Sequence, residues 1–336
     1  MTRMDRELRK VGTRLKVQGF FGRLPCEPRD LTDRITPAEK CIVLCHLGIP
    51  EISVSDWRVE ICGLVDRCGQ LRMSDLLAFP KIEILSVHQC AGSPLDPHKP
   101  TQRVCNVKWA GARLRTVLDR FGVRPEARFV WSTGADHGNF AGVECDAYTK
   151  DLPLGRIDED VLLAYEMNGS RLSQEQGFPV RLVVPGFYGT NSVKWLSRIE
   201  LAADRAAGPF TTQWYNEPDE FGQGRHPVWA LAPQSVIVHP RTDRPPGAHA
   251  PVQVWGWAWC DGPLARVEVS VDGGLNWMDA RLEQRDGRGW QKFILQWTPS
   301  GSGSYSLMSR AVASDGQQQP LAGRRNAIFG VTIEVS

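Results

Sequence analysis

"EQGFPVRLVVPGFYGTNSVKWLSRIEL", residues 175–201, opens on an apolar strand and breaks into a loop. The run VRLVV has the aliphatic character of a buried strand and stops at Pro185 and Gly186. Gly, Tyr, Thr, Asn and Ser follow, and Arg181 and Lys194 flank the loop. Backbone amides of a Gly-rich loop together with two fixed cations suit a phosphate. Either cation alone reads as a solvated surface charge, because most Lys and Arg side chains are exposed. Taken with the loop, the pair reads as an anion site.

Upstream, β-like pieces appear from TPAEKCIVLCHLGIPEIS (36–53) onward: CIVLCHL, WRVEICGLV and KIEILSVHQC, separated by Pro, Gly and Asp. SDLLAF and GARLRTVLDRFG have helical spacing, the second with Leu114, Val117, Leu118 and Phe121 on one face and Gly122 as a C-cap. Strands and helices mix without a βαβ rhythm, which predicts an α+β domain over 36–215. From residue 223 the texture changes to short alternating runs broken by Pro-Gly and Asp-Gly-Gly, and VEVSVDGGLNWMDA (267–280) reads as a hairpin. Residues 223–336 are therefore expected to form an all-β sandwich, with the boundary in QWYNEPDEFGQGRHP (213–227) and a polar, basic arm over 1–35.

The 336 residues carry 40 basic and 38 acidic side chains, a formal charge of +2, too balanced for a nucleic-acid footprint or a polybasic membrane patch. No run reaches the roughly 20 apolar residues that span a bilayer, and no secretory h-region follows the basic start. A cytoplasmic location is the expectation. Nine irregularly spaced cysteines do not form a disulfide framework and are read as mostly reduced thiols. Neither GxGxxG nor a Walker sequence occurs, so nucleotide folds lose support.

Three further positions could carry chemistry. Cys90, in EILSVHQCAGSPLDPHKPTQ (83–102), closes a strand before Ala-Gly, where small residues let another molecule approach. Spacing alone leaves it as a buried, inert thiol, and zinc ligation with His88 or His98 matches no common pattern. Tyr148 precedes a short strand and reads as a core tyrosine or a proton donor. Asp136 and His137, in GADHGNF, read as a turn before they read as a metal or base site.

The ordered succession TPAEKCIVLCHLGIP, QCAG, KWAGARLRTVL, DVLLAYEMNG, GFPVRLVVPGFYGTNSVKWLSRIEL and VEVSVDGG resembles the sulfite oxidase family of molybdenum enzymes over residues 36–334. The resemblance implies a mixed α/β molybdopterin-binding domain followed by an immunoglobulin-like sandwich through which the chain forms a homodimer. It implies Cys90 as the molybdenum ligand, a soft thiolate suited to such a metal. It places Arg181, Lys194 and Ser192 at the cofactor phosphate and His46 at the pterin. Gln176 stands where the family usually has His, and donates a hydrogen bond without charge assistance. Tyr148 matches the active-site tyrosine, and Arg241 in VIVHPRTD matches a substrate-pocket arginine.

Departures fall on the substrate side. Leu44 in VLCH stands where relatives carry Arg, and Ser93, Pro94 and Leu95 stand where they carry Asn and two Arg. Sulfite is a small dianion that guanidinium groups hold against water. Two enzyme readings follow: two-electron oxidation of sulfite to sulfate with electrons passed to an external carrier, or the same oxygen-atom transfer on another substrate, such as reduction of an S- or N-oxide. Arg241 with His98 or Lys99 supports the first; an apolar floor at Leu44 and Leu95 supports the second. A cofactor-free interaction protein is the reading from another class, and retention of Cys90, Arg181 and Lys194 weighs against it. No C-x-x-C-H signature occurs, so no haem is expected.

Overall fold

The computed structural model describes residues 27–92, 103–218 and 222–336, together with backbone pairing at Arg14–Leu15 and Phe21–Gly22. The chain separates into two compact units. The first contains Val43–Ile84 and Lys108–Trp229; the second contains Pro25–Ile42, Leu85–Val107 and Ala230–Ser336.

The second unit takes in segments from well upstream in the chain, and its buried indoles show why. Trp257 and Trp290 stack at 5.0 Å, and their indole N–H groups donate to the carbonyls of Leu31 (2.6 Å) and Arg34 (3.0 Å). Trp259 donates to Gln89 Oε1 at 2.9 Å, and Gln89 Nε2 donates to Gln234 at 2.6 Å. A buried indole N–H needs an acceptor. These acceptors come from residues 25–42 and 85–107, which tie those segments to the β unit. Part of the expected N-terminal arm is thus built in, with Leu31 buried. The polar stretch 213–227 belongs to the first unit, where Asn216–Pro218 pairs antiparallel with Arg225–Pro227.

The second unit is the expected all-β sandwich. Seven strands follow the order Gln234–His239, Val252–Trp259, Gln291–Trp297, Met278–Leu282, Leu264–Ser270, Gly303–Ala313 and Val331–Val335. Alternation buries Val254, Val267, Val269, Phe293, Leu307 and Ile333 in one core. The 267–280 hairpin forms as expected, with Val267 opposite Ala280.

In the first unit, a five-stranded sheet runs Thr149–Pro153, Phe129–Gly134, Leu196–Ala202, Val59–Gly63, Gly69–Leu71, with one parallel pairing between Leu196–Ala202 and Val59–Gly63. The helices are short. Met73–Leu77 buries Leu76, and Leu114–Asp119 buries Leu114, Val117 and Leu118 before Gly122 turns left-handed at φ +72°. That second helix starts three residues later than its periodicity predicts. Gly111, Ala112 and Arg113 are instead strand, opposite Ala164, Leu163 and Leu162, because the ladder satisfies their backbone groups.

The same ladder explains Gly111. A Cβ there would lie 2.1 Å from the Leu163 carbonyl oxygen and 2.7 Å from Ala164 Cα, both backbone atoms that cannot rotate away. Gly111→Ala is expected to lower stability by about 2 kcal/mol or more, the scale of overpacking in a closed core. Urea unfolding followed by circular dichroism checks it; an unchanged midpoint would refute the close approach.

Candidate functional site

Within the first unit, Arg181 and Lys194 are brought together by the strand Arg181–Val183 and the turn that follows it. Both flank Gly177, whose φ is +107°. A Cβ at Gly177 would meet Lys194 Cβ at 3.0 Å and Arg181 Cβ at 3.2 Å, so glycine makes the space in which two cationic stems pass. Arg181 is buried, lies 4.9 Å from the Trp109 ring centroid, and donates to the carbonyls of Gln176 and Ser192, each at 2.9 Å. Lys194 donates to Leu44 O (2.7 Å), Glu175 O (3.1 Å) and Cys45 Sγ (3.1 Å). Those partners are neutral. Burial depresses the Lys194 pKa, and the Arg181 charge pushes it the same way, although the facing Cys45 and Asp136 oppose this.

Ser192 and Gln176 lie in the same loop cluster, with their oxygens committed to the fold. Ser192 Oγ accepts from Val184 N at 3.0 Å, and Gln176 Oε1 accepts from Ser173 N at 3.0 Å, capping a single 3₁₀ turn. What Gln176 brings toward an anion is therefore its amide NH₂.

His46 sits in an aromatic enclosure. Its ring stacks on Tyr148 (5.3 Å, 25°) and meets the edges of Phe140 (4.8 Å) and Phe210 (5.6 Å). Burial, with the Lys194 charge behind it, lowers its pKa from 6.5 to about 4, so the imidazole is neutral at physiological pH. Tyr148 is buried, and its hydroxyl bonds Thr190 Oγ1 at 2.6 Å and Thr190 O at 2.9 Å.

Sequence reading missed several partners. Asp136, read as a turn residue, is buried, and desolvation raises its pKa from 3.8 to about 7 against the pull of Lys194. Lys150 is 1% exposed and donates to Phe210 O at 2.8 Å. Cys45, Gly177 and Tyr215 were also passed over. Gly177 was the most accessible of these, since a glycine just before an apolar strand marks a close approach.

Cys90 belongs to the second unit, at the end of Lys81–Gln89. Its Sγ accepts from Gly92 N at 3.3 Å, and its backbone N–H donates to Arg103 O at 2.9 Å. Burial raises the thiol pKa, and the Gly92 N–H, Arg103 and Arg325 offset part of that rise. Arg241, also in the second unit, forms a two-point pair with Asp243 at 2.9 Å and 2.9 Å, which holds the Asp243 carboxyl down at about 2. Ser93, Pro94, Leu95, His98 and Lys99 lie outside the described residues.

The residues fit an anionic cofactor tail. Buried Arg181 and half-buried Lys194, whose described hydrogen bonds go to carbonyl oxygens and a thiol, place two cationic groups where a phosphate could lie. Among the described residues no cluster of three His, Cys, Asp or Glu could hold a metal by itself.

The pH dependence has opposed parts. His46 has a folded pKa near 4 against 6.5, so the unfolded chain binds the extra proton and stability falls as pH drops through that window. Asp136 has a folded pKa near 7 against 3.8, so its contribution is full at low pH and is lost as pH rises toward 7. Asp136→Asn, which keeps a neutral side chain, is expected to lose melting temperature between pH 7 and 5 more steeply than the parent. His46→Gln is expected to do the opposite. Scanning calorimetry across that range decides it, and profiles parallel to the parent would refute both assignments.

The chain is similar to known proteins over most of its length. Residues 46–210 match the family described as oxidoreductase molybdopterin binding domain, and residues 225–332 match the Mo-co oxidoreductase dimerisation domain. The chain is 33% identical to sulfite oxidase of Gallus gallus, over 93% of this chain and 74% of that protein. It is 33% identical to mitochondrial sulfite oxidase of Homo sapiens, over 94% of this chain and 63% of that longer protein. Among solved structures, the sulfane dehydrogenase SoxCD from Paracoccus pantotrophus superposes with a TM-score of 0.79 at 30% identity, covering 92% of this chain and 85% of that one. With both domain matches in the expected order, the chain belongs to the sulfite oxidase family of molybdopterin-dependent oxidoreductases.

Proposed function

We propose that this oxidoreductase converts sulfite to sulfate, SO₃²⁻ + H₂O → SO₄²⁻ + 2H⁺ + 2e⁻, and passes the electrons to an external carrier. The observation that carries this reading is the Arg181–Lys194 pair around Gly177, which suits the cofactor phosphate. The molybdenum cofactor, when bound, supplies a two-electron centre able to exchange an oxygen atom with substrate. Cys90 is its proposed protein ligand. Ser192 and Gln176 join the phosphate contacts, and neutral His46 meets the pterin without adding charge. Tyr148, its hydroxyl anchored by Thr190, orients at the reacting oxygen. Arg241 is the proposed guanidinium for the substrate dianion, and Asp243 competes with that dianion for its fork. The 225–332 match supports a homodimer.

A second reading keeps the centre and changes the substrate. Leu44 stands at an anion-pocket position without charge, half-buried, and only its backbone carbonyl reaches Lys194. A larger or less charged sulfur compound fits that loss better, and one structural neighbour is a sulfane dehydrogenase.

Metal analysis of the purified protein, followed by steady-state assay with sulfite and a panel of sulfoxides, N-oxides and sulfane sulfur compounds, tests both. About one molybdenum per chain and turnover of sulfite are expected; a metal-replete enzyme inert to sulfite but active on a sulfane substrate favours the second reading. Cys90→Ser is expected to abolish turnover, and full activity in that variant would overturn the ligand assignment. Arg241→Met is expected to raise KM for sulfite by about tenfold or more, the loss of a charge-assisted contact, while molybdenum content stays unchanged.

A further inference from the structure

Tyr215 lies in the polar stretch that reads as a linker, yet its backbone is held at φ +58°. For a bulky side chain that conformation is strained and persists only where its surroundings over-determine it. Here they do. Tyr215 O accepts from Val228 N at 2.9 Å, and Asn216 Nδ2 donates to the carbonyls of Thr211 and Trp214, each at 3.0 Å, closing the turn on both sides. The strained turn delivers the Tyr215 hydroxyl to 2.5 Å from His46 Nε2.

A second side chain supports the same contact. Lys150, almost fully buried, places its ammonium 5.3 Å from the centroid of the Tyr215 ring and is anchored by Phe210 O at 2.8 Å. Its pKa is lowered to about 8 by burial, so it remains cationic at neutral pH. A cation beside a phenol ring withdraws electron density and makes the hydroxyl a better donor. His46, being neutral, has one acceptor nitrogen to offer and one N–H. Its ring is also confined by Tyr148, Phe140 and Phe210, which resist a flip.

We propose that Tyr215 is the positioning residue of His46: its hydroxyl donates to Nε2, with Lys150 beside the phenol ring, and so fixes the imidazole as the Nδ1–H tautomer. Building on the reading that His46 meets the pterin, this makes His46 a hydrogen-bond donor at Nδ1. The cofactor edge it recognises is then an acceptor, a carbonyl oxygen or an unprotonated ring nitrogen. Tyr215 acts through His46 and touches neither substrate nor cofactor in this scheme.

The test uses full-length holoenzyme labelled with ¹⁵N at histidine. Long-range ¹H–¹⁵N correlation reads both nitrogens of each of the 7 histidines, and the His46→Gln variant assigns the resonance pair. The parent is expected to show a protonated Nδ1 and an acceptor Nε2 shifted upfield by its hydrogen bond. Tyr215→Phe is expected to move Nε2 downfield and to reduce kcat about fivefold, the loss of one hydrogen bond, at unchanged molybdenum content. A protonated Nε2 in the parent, or an unchanged His46 pair in Tyr215→Phe, overturns the proposal. If Tyr215→Phe fails to fold, the parent tautomer alone decides. An enzyme inert to sulfite contradicts the proposed substrate, while the nitrogen spectrum still decides the role of Tyr215.

Discussion

Holding half-buried Lys194 beside buried Arg181 is the constraint on which the first unit depends. Two like charges taken out of water cost several kcal/mol each unless dipoles and partners replace the lost hydration. The fold meets this with carbonyl oxygens aimed at both cations, with the Trp109 and Trp195 rings at 4.9 Å and 4.3 Å, and with a glycine where any side chain would collide. Desolvation weakens the Lys194 charge. The same environment pushes Asp136 up to about 7, so the acid near Lys194 offsets only part of the positive field at neutral pH.

Two aromatic residues beside these groups hold left-handed backbones. Trp195, directly after Lys194, has φ +50°, and its indole N–H donates to Gln174 O at 2.6 Å. This turns the ring under the Lys194 ammonium. Tyr215 repeats the device at φ +58° on the His46 side. Aromatic residues in the left-handed region are costly, and both are tied by hydrogen bonds that leave them no relaxed alternative. Packing thereby holds the cations and the imidazole in place ahead of any ligand, which is how a site reduces the ordering cost of binding.

Much of the architecture was legible as pattern. Alternation over 267–280 predicted the hairpin, and the apolar face Leu114, Val117, Leu118 predicted a helix that forms one turn late. The late start was hidden because Gly111 to Arg113 continue the helical spacing, and only the facing strand reveals that a ladder claims them. The place of residues 25–42 and 85–107 in the second unit was hidden for a related reason. Composition changes near residue 223, but the acceptors for Trp257, Trp259 and Trp290 come from segments far upstream in the chain. Long-range hydrogen bonds of that kind leave no local signature.

By itself, the sequence determined the chemistry on offer: two cations flanking a Gly-rich loop, a thiol closing a strand, and motifs whose order identifies a molybdenum enzyme family. Residue type and spacing carry that information because charge, softness and conformational freedom are local properties. Tertiary structure alone decided which groups are neutral and which partners they keep. It left His46 uncharged and Asp136 half-titrated near pH 7, and it drew Tyr215 out of an apparent linker onto the imidazole. Those outcomes follow from burial and from distances between residues far apart in the chain, such as the 169 positions that separate His46 from Tyr215.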